Sequence, residues 1–140
     1  MYAGILFLDF DGVLHPRTSG TFRHAPLIEA LLRRHPSLAV VVSSSWKLQM
    51  PLSELREWFA KDVQNQIVGV TPDLAPCAGF RQTEIEQWLR SNPSKFFLAL
   101  DDERSLFGHN VSWVHWTDNT TGLTTQDIET VEKHLVAAGL

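Results

Sequence analysis

A chain of 140 residues, 44% of them hydrophobic, falls within the size of one domain and has enough apolar side chains for a sizeable core. Its formal net charge of −4 and pI of about 5.8 give no global attraction to polyanions, so any preference for phosphate must come from local positive charge. Cys77 is the only cysteine, which excludes an internal disulfide and a thiolate zinc cluster and fits a reducing, cytoplasmic setting.

The N-terminal residues reach Asp9 too early for the apolar region of a signal peptide, and no later run approaches membrane-spanning length. A soluble protein with one domain over residues 1–140 is expected. Ile5 to Leu8 is a short, continuous apolar run of the kind that forms a strand buried on both faces. Asp9 and Asp11 follow it, and Gly12 lets the chain turn sharply. In the polar stretch from His15 to His24, Arg17 and Arg23 either meet a phosphate-rich substrate or keep the loop solvated.

Leu27, Ile28, Leu31 and Leu32 share a helical face before Pro36 stops the helix. Leu38 to Val42 reads as the second strand, ending in Ser43-Ser44-Ser45-Trp46-Lys47. A second helix carries Leu52, Leu55, Trp58 and Phe59, and Ile67 to Val70 forms the third strand. The third helix is expected to open at Thr83, with Glu86 reaching back to complete a capping box, to bury Ile85, Trp88 and Leu89, and to close before Pro93. Phe96 to Leu100 is the fourth strand, ending in Asp101-Asp102-Glu103, and the alternating segment Val111 to Trp116 is a weaker fifth. A last helix follows Thr124 or Thr125, turns Ile128, Val131 and Leu135 inward and reaches Gly139.

Strands alternating with helices predict a parallel sheet covered on both faces, a three-layer α/β/α sandwich. In such sheets ligands sit beyond the carboxyl ends of the strands, where Asp9, Ser43 and Asp101-Asp102 fall. Gathered there, Asp9, Asp11, Asp101 and Asp102 repel one another unless a divalent cation, a proton or a basic side chain neutralises them, and hard oxygen ligands favour Mg2+. One screened carboxylate then serves as a nucleophile toward phosphorus, and a second acid protonates the leaving oxygen. Ser43, Ser44, Gly12 and Lys47 are candidate contacts to the transferring group, and a cation from Arg81 or Lys47 offsets charge on its oxygens.

Blander readings stand beside these. A lone Asp-x-Asp is usually a turn, a serine run starts loops, acids favour helix starts, and single basic residues are mostly solvated. The six histidines show no metal-binding spacing and are expected in loops or on the surface. Trp58 and Trp88 read as core, while Trp46 beside the serines is open.

Asp9-Phe-Asp11-Gly-Val after an apolar strand resembles motif one of the haloacid dehalogenase superfamily; Ser43 and Asp101-Asp102 resemble motifs two and four, in the expected order. The resemblance implies a Rossmann-like sheet of order 5-4-1-2-3. It also implies Asp9 as nucleophile, Asp11 as acid/base, and Mg2+ held by Asp9, the Asp11 backbone carbonyl and Asp101 or Asp102. Arg81 is the choice for the basic motif three and Lys47 the reserve. Both inter-motif intervals are too short for a cap domain, which favours a phosphate on a macromolecule over a small metabolite; a small molecule, a nucleic-acid end and a phosphoprotein all remain open. Ser43 to Lys47 and Leu100 to Glu103 are similar to capless branches that include the domains of RNA-repair proteins and the magnesium-dependent phosphatase-1 type. The rivals are a receiver-like phosphoacceptor domain and a noncatalytic interaction or regulatory module. No membrane partner is expected.

Overall fold

The computed structural model describes residues 2–74 and 80–140, so Cys77 lies outside the described residues. Five strands, β1 (Gly4–Leu8), β2 (Leu38–Val42), β3 (Ile67–Val70), β4 (Phe96–Asp101) and β5 (Val114–Trp116), form one sheet in the order β3-β2-β1-β4-β5. Every pairing is parallel, and Leu6 at the centre is in register with Val40 of β2 and Leu98 of β4. This is the order expected from the resemblance, read from the other edge.

The apolar runs have a simple cause. Side chains alternate across a strand, and both faces of this sheet are covered. Leu6, Leu8, Val40, Val42, Leu98 and Leu100 face one layer, where they pack with Ile28, Leu31 and Leu32 of α1 (Ala25–Arg34) and with Ile128, Val131 and Leu135. Those last three belong to the C-terminal helix, Thr125–Ala137. Ile5, Phe7, Val41 and Ala99 face the opposite layer and meet Ile85 and Phe107. The α/β/α sandwich follows, and among the described residues no cap domain is inserted and no helix is long and apolar enough to cross a membrane.

Local chemistry fixes the helix ends. At the C-terminal helix, the Thr124 hydroxyl accepts the Asp127 N–H while the Asp127 carboxylate accepts the Thr124 N–H, the reciprocal capping box that satisfies two orphan donors. The far end of α1 is closed by the buried Gln66 carboxamide, which donates to the carbonyls of Leu32, His35 and Leu38 at 3.1, 3.2 and 2.9 Å.

Several expectations need correction. The second helical pattern yields only α2 (Leu52–Leu55), followed by 3₁₀ turns over Arg56–Trp58 and Lys61–Gln66, because the backbone becomes extended at Phe59. Trp58 is therefore not core: it is 39% exposed and lies flat on Phe22 at 4.1 Å between ring centroids. Helix α3 (Phe80–Ser91) has already begun at Phe80, so Thr83 is an exposed interior residue and not a cap. Its inward face carries Arg81 and Glu84 beside Ile85, which blurs the apolar period. The C-terminal helix is thus α4 (Thr125–Ala137). His15 and His35 are buried at 0% and 6% exposure, against the surface expectation for histidines.

Replacing Gln66 by Met keeps the side-chain volume and deletes the donor, leaving carbonyls of α1 and β2 buried without it. Urea denaturation is expected to show a loss of about 1–3 kcal/mol; unchanged stability would show that Gln66 does not cap α1.

Candidate active site

The residue at the carboxyl end of each strand is polar, and the sheet's own hydrogen bonding aligns them. Asp9 N–H donates to Leu100 O at 3.1 Å, Ser43 N–H to Leu8 O at 3.0 Å, Thr71 N–H to Val42 O at 3.0 Å, and Thr117 N–H to Asp101 O at 2.9 Å. Thr71, Ser43, Asp9, Asp101 and Thr117 thus form a row across the sheet edge, and every one is buried. Thr71 and Thr117 were not singled out from the sequence, although each directly follows a strand, which was the available signal.

Asp9 and Asp101 sit on neighbouring strands, and Asp102 completes a trio whose carboxylate oxygens lie within 4.8 Å of one another. Arg81, delivered from the first described turn of α3, reaches both buried acids: its Nη1 is 3.2 Å from Asp9 Oδ1 and 2.9 Å from Asp101 Oδ2. The other Asp101 oxygen accepts the backbone N–H groups of Asp102 and Glu103 at 2.8 and 2.9 Å. Asp102 Oδ2 accepts from Asn119 Nδ2 at 2.7 Å.

One guanidinium does not balance this site. Burial pushes the Asp9 pKa well above the usual carboxylate range, and the charge of Asp101 adds to the rise against the pull of Arg81. Asp101 is also raised, again chiefly by burial, with Arg81 opposing. Burial works against the charge of Arg81, but Asp9 and Asp101 outweigh it and hold the guanidinium protonated. Three hard oxygen donors and a surplus of negative charge fit a divalent cation, so the trio could hold a metal ion. The Ser43 hydroxyl and Arg81 Nε are buried at this edge without a hydrogen-bond partner among the described residues, as is the Trp88 indole N–H elsewhere on α3.

The remaining candidates are placed differently. The Asp11 carboxylate lies outside the metal trio; its Oδ1 accepts from His15 Nε2 at 2.7 Å and from Trp46 Nε1 at 3.1 Å. Sequence reasoning missed His15 and left Trp46 open. Gly12 has φ +75°, and a Cβ there would collide with the Asp102 carboxylate, so glycine is required for close approach. Its N–H is committed to the carbonyls of His15 and Arg17, and its carbonyl accepts from the Thr117 hydroxyl at 2.7 Å. Ser44 caps the 3₁₀ turn Ser45–Leu48, its hydroxyl accepting the Trp46 N–H. Lys47 forms a buried pair with Glu84 at 2.8 Å, and it also donates to Thr71 at 3.2 Å. Arg17 and Arg23 are exposed.

Sheet order and acidic edge are those expected of the haloacid dehalogenase class, whereas a receiver-like sheet would follow the order 2-1-3-4-5. A family model described as the HAD domain in Swiss Army Knife RNA repair proteins matches residues 5–128, and the chain belongs to that family. No curated protein and no solved structure matches it significantly.

Two expectations follow from these electrostatics. An acid whose pKa is raised on folding destabilises the folded state progressively as pH climbs from the ordinary value of 3.8 through the raised one. Without divalent cations, Asp9→Asn should therefore melt above wild type at neutral pH, with the gap closing as pH falls toward 3.8. Saturating Mg2+ should raise the wild-type melting temperature, by the equivalent of about 2.7 kcal/mol at a hundredfold excess over Kd. Separately, Lys47→Met strands Glu84 in the interior and should cost about 3–5 kcal/mol in chemical denaturation, much of it recovered by adding Glu84→Gln.

Proposed function

We propose that this chain is a Mg2+-dependent phosphomonoester hydrolase that works through an aspartyl-phosphate on Asp9. The observation that carries this reading is the convergence of Asp9, Asp101 and Asp102 beside a buried Ser43 hydroxyl that has no partner among the described residues. An Asp9 oxygen attacks phosphorus, and the bond to the leaving oxygen breaks. Asp11 gives that oxygen a proton, later takes one from the water that attacks the acyl phosphate, and is restored as inorganic phosphate leaves. Ser43 donates to a phosphoryl oxygen, and Arg81 both orients Asp9 and offsets charge on the transferring group. Mg2+, held by Asp9, Asp101 or Asp102 and the Asp11 backbone carbonyl, would supply the positive charge that lets a carboxylate approach an anionic phosphoryl group.

The family description supports a phosphate at an RNA end as the substrate, in preference to a phosphoprotein or a small metabolite. The capless architecture agrees, because a macromolecular substrate closes off solvent where a cap otherwise would.

Asp9→Asn should abolish release of phosphate from 4-nitrophenyl phosphate and from a phosphorylated oligoribonucleotide while leaving the fold intact. Asp11→Asn should lose about 10²–10⁴-fold. Arg81→Ala should impair turnover far more than Lys47→Ala. Near wild-type activity in Asp9→Asn refutes the nucleophile, and a wild-type chain inert toward both substrates with Mg2+ favours the noncatalytic module.

A further inference from the structure

The loop that follows β1 holds Asp11 in a way the hydrolase reading does not require, and three observations converge there. His15 is fully buried, and its Nε2 lies 2.7 Å from Asp11 Oδ1. The opposite ring nitrogen, Nδ1, faces the backbone N–H of Phe22 at 3.4 Å. An N–H can only donate, so Nδ1 accepts and the ring proton sits on Nε2. The indole N–H of Trp46 reaches the same Asp11 Oδ1 at 3.1 Å.

Asp11 Oδ1 therefore receives two fixed donors, which fills the acceptor directions of a carboxylate oxygen, whereas Oδ2 has no protein donor among the described residues. Asp11 is also one-third exposed while His15 is not exposed at all, so the anchor lies in the interior and the carboxylate it holds keeps access to the open side of the loop. The anchor is itself held in place. Phe22 adopts φ 51°, an uncommon conformation for a bulky residue, and its ring meets His15 at 4.7 Å, Trp46 at 5.1 Å and Trp58 at 4.1 Å between centroids.

We infer that His15, as its Nε2–H tautomer, and Trp46 are positioning residues that lock Asp11 Oδ1 and so commit Oδ2 to proton transfer with the leaving oxygen. The inference rests on the hydrolase reading for its chemistry and on the loop geometry for its placement. A locked acid is worth most where the leaving group departs poorly without a proton, so the contribution of these residues depends on the leaving group. 4-Nitrophenolate leaves readily unprotonated, whereas an alkoxide does not.

The test uses the full chain with His15→Phe and Trp46→Phe, each keeping an aromatic ring and deleting the N–H, and with His15→Gln, which can restore a donor. Rapid-quench measurement of Asp9 phosphorylation is made with 4-nitrophenyl phosphate and with β-glycerophosphate in Mg2+. Each Phe variant should lose at least about tenfold with the alkyl ester and at most about threefold with the aryl ester, a share of the roughly 10²–10⁴-fold that a positioned acid contributes, and His15→Gln should recover part of the loss. Equal losses on both esters, or none, overturn the inference even though wild type is active. Should His15→Phe fail to fold, Trp46→Phe decides by the same comparison. Independently of activity, long-range 1H–15N correlation spectra of the metal-free wild type should show His15 protonated at Nε2 and bare at Nδ1. The opposite tautomer overturns the inference, whereas a wild type inert toward both esters sinks the hydrolase reading and leaves the positioning geometry to be judged by that spectrum.

Discussion

Everything at the open edge of this sheet answers to one constraint: Asp9 and Asp101 stand side by side on neighbouring parallel strands, buried, with a single guanidinium between them. Strands lie about 4.8 Å apart, so two carboxylates at the same level cannot avoid each other. Their position is not negotiable, because the alternation that buries Leu8 and Leu100 fixes the residues that follow them. The chain accepts the repulsion, brings Arg81 in from α3, and still leaves the site short of positive charge once Asp102 is counted. Such an arrangement serves a ligand better than it serves the empty fold.

The same constraint shapes the loops around it. Asp102 can press against the chain after β1 only because position 12 has no Cβ. The loop after β5 closes the other side: Thr117 binds the Gly12 carbonyl, Asn119 binds Asp102, and the Asn119 carbonyl accepts the Arg17 N–H at 2.8 Å. Leu123 N–H then reaches Val13 O at 2.8 Å. The segment from Gly12 to His24 is thus a structured wall, pinned by β5's loop on one side and by the stacking of Phe22 on Trp58 on the other. Its polar sequence reads as an ordinary connection, yet it supplies the buried His15.

How much of this could be read in advance divides along a physical line. The strands could, because a strand covered on both faces must be apolar at every position, and the residue after it must then be conspicuous. Asp9, Ser43 and Asp101 were found that way, and the sheet order came from the family resemblance. Features set by tertiary contact were hidden. Helix α3 buries Arg81 and Glu84, so its inner face does not look apolar, and the Thr83-x-x-Glu86 pattern inside it mimics a helix start. Trp58 lies on an apolar helical stripe in the sequence, but the helix ends three residues before it. His15 is joined to Asp11 by the positive-φ turn at Gly12 and to Phe22 by another, and neither turn announces which side chains it brings together.

Arginine in place of lysine at position 81 also follows from the shared constraint. An ammonium is a point charge and would have to choose a position between two acids, whereas a guanidinium is a planar fork with five donors. Arg81 spends Nη1 on both carboxylates and keeps Nε unpartnered among the described residues, so donor capacity survives after the ion pairs are made. Lys47, the other cation near the edge, donates to Glu84 and Thr71 and so ties the turn after β2 to α3 and to the residue that follows β3. In the proposed reaction the two basic residues divide the work accordingly: Lys47 braces the scaffold, and Arg81 holds the nucleophile.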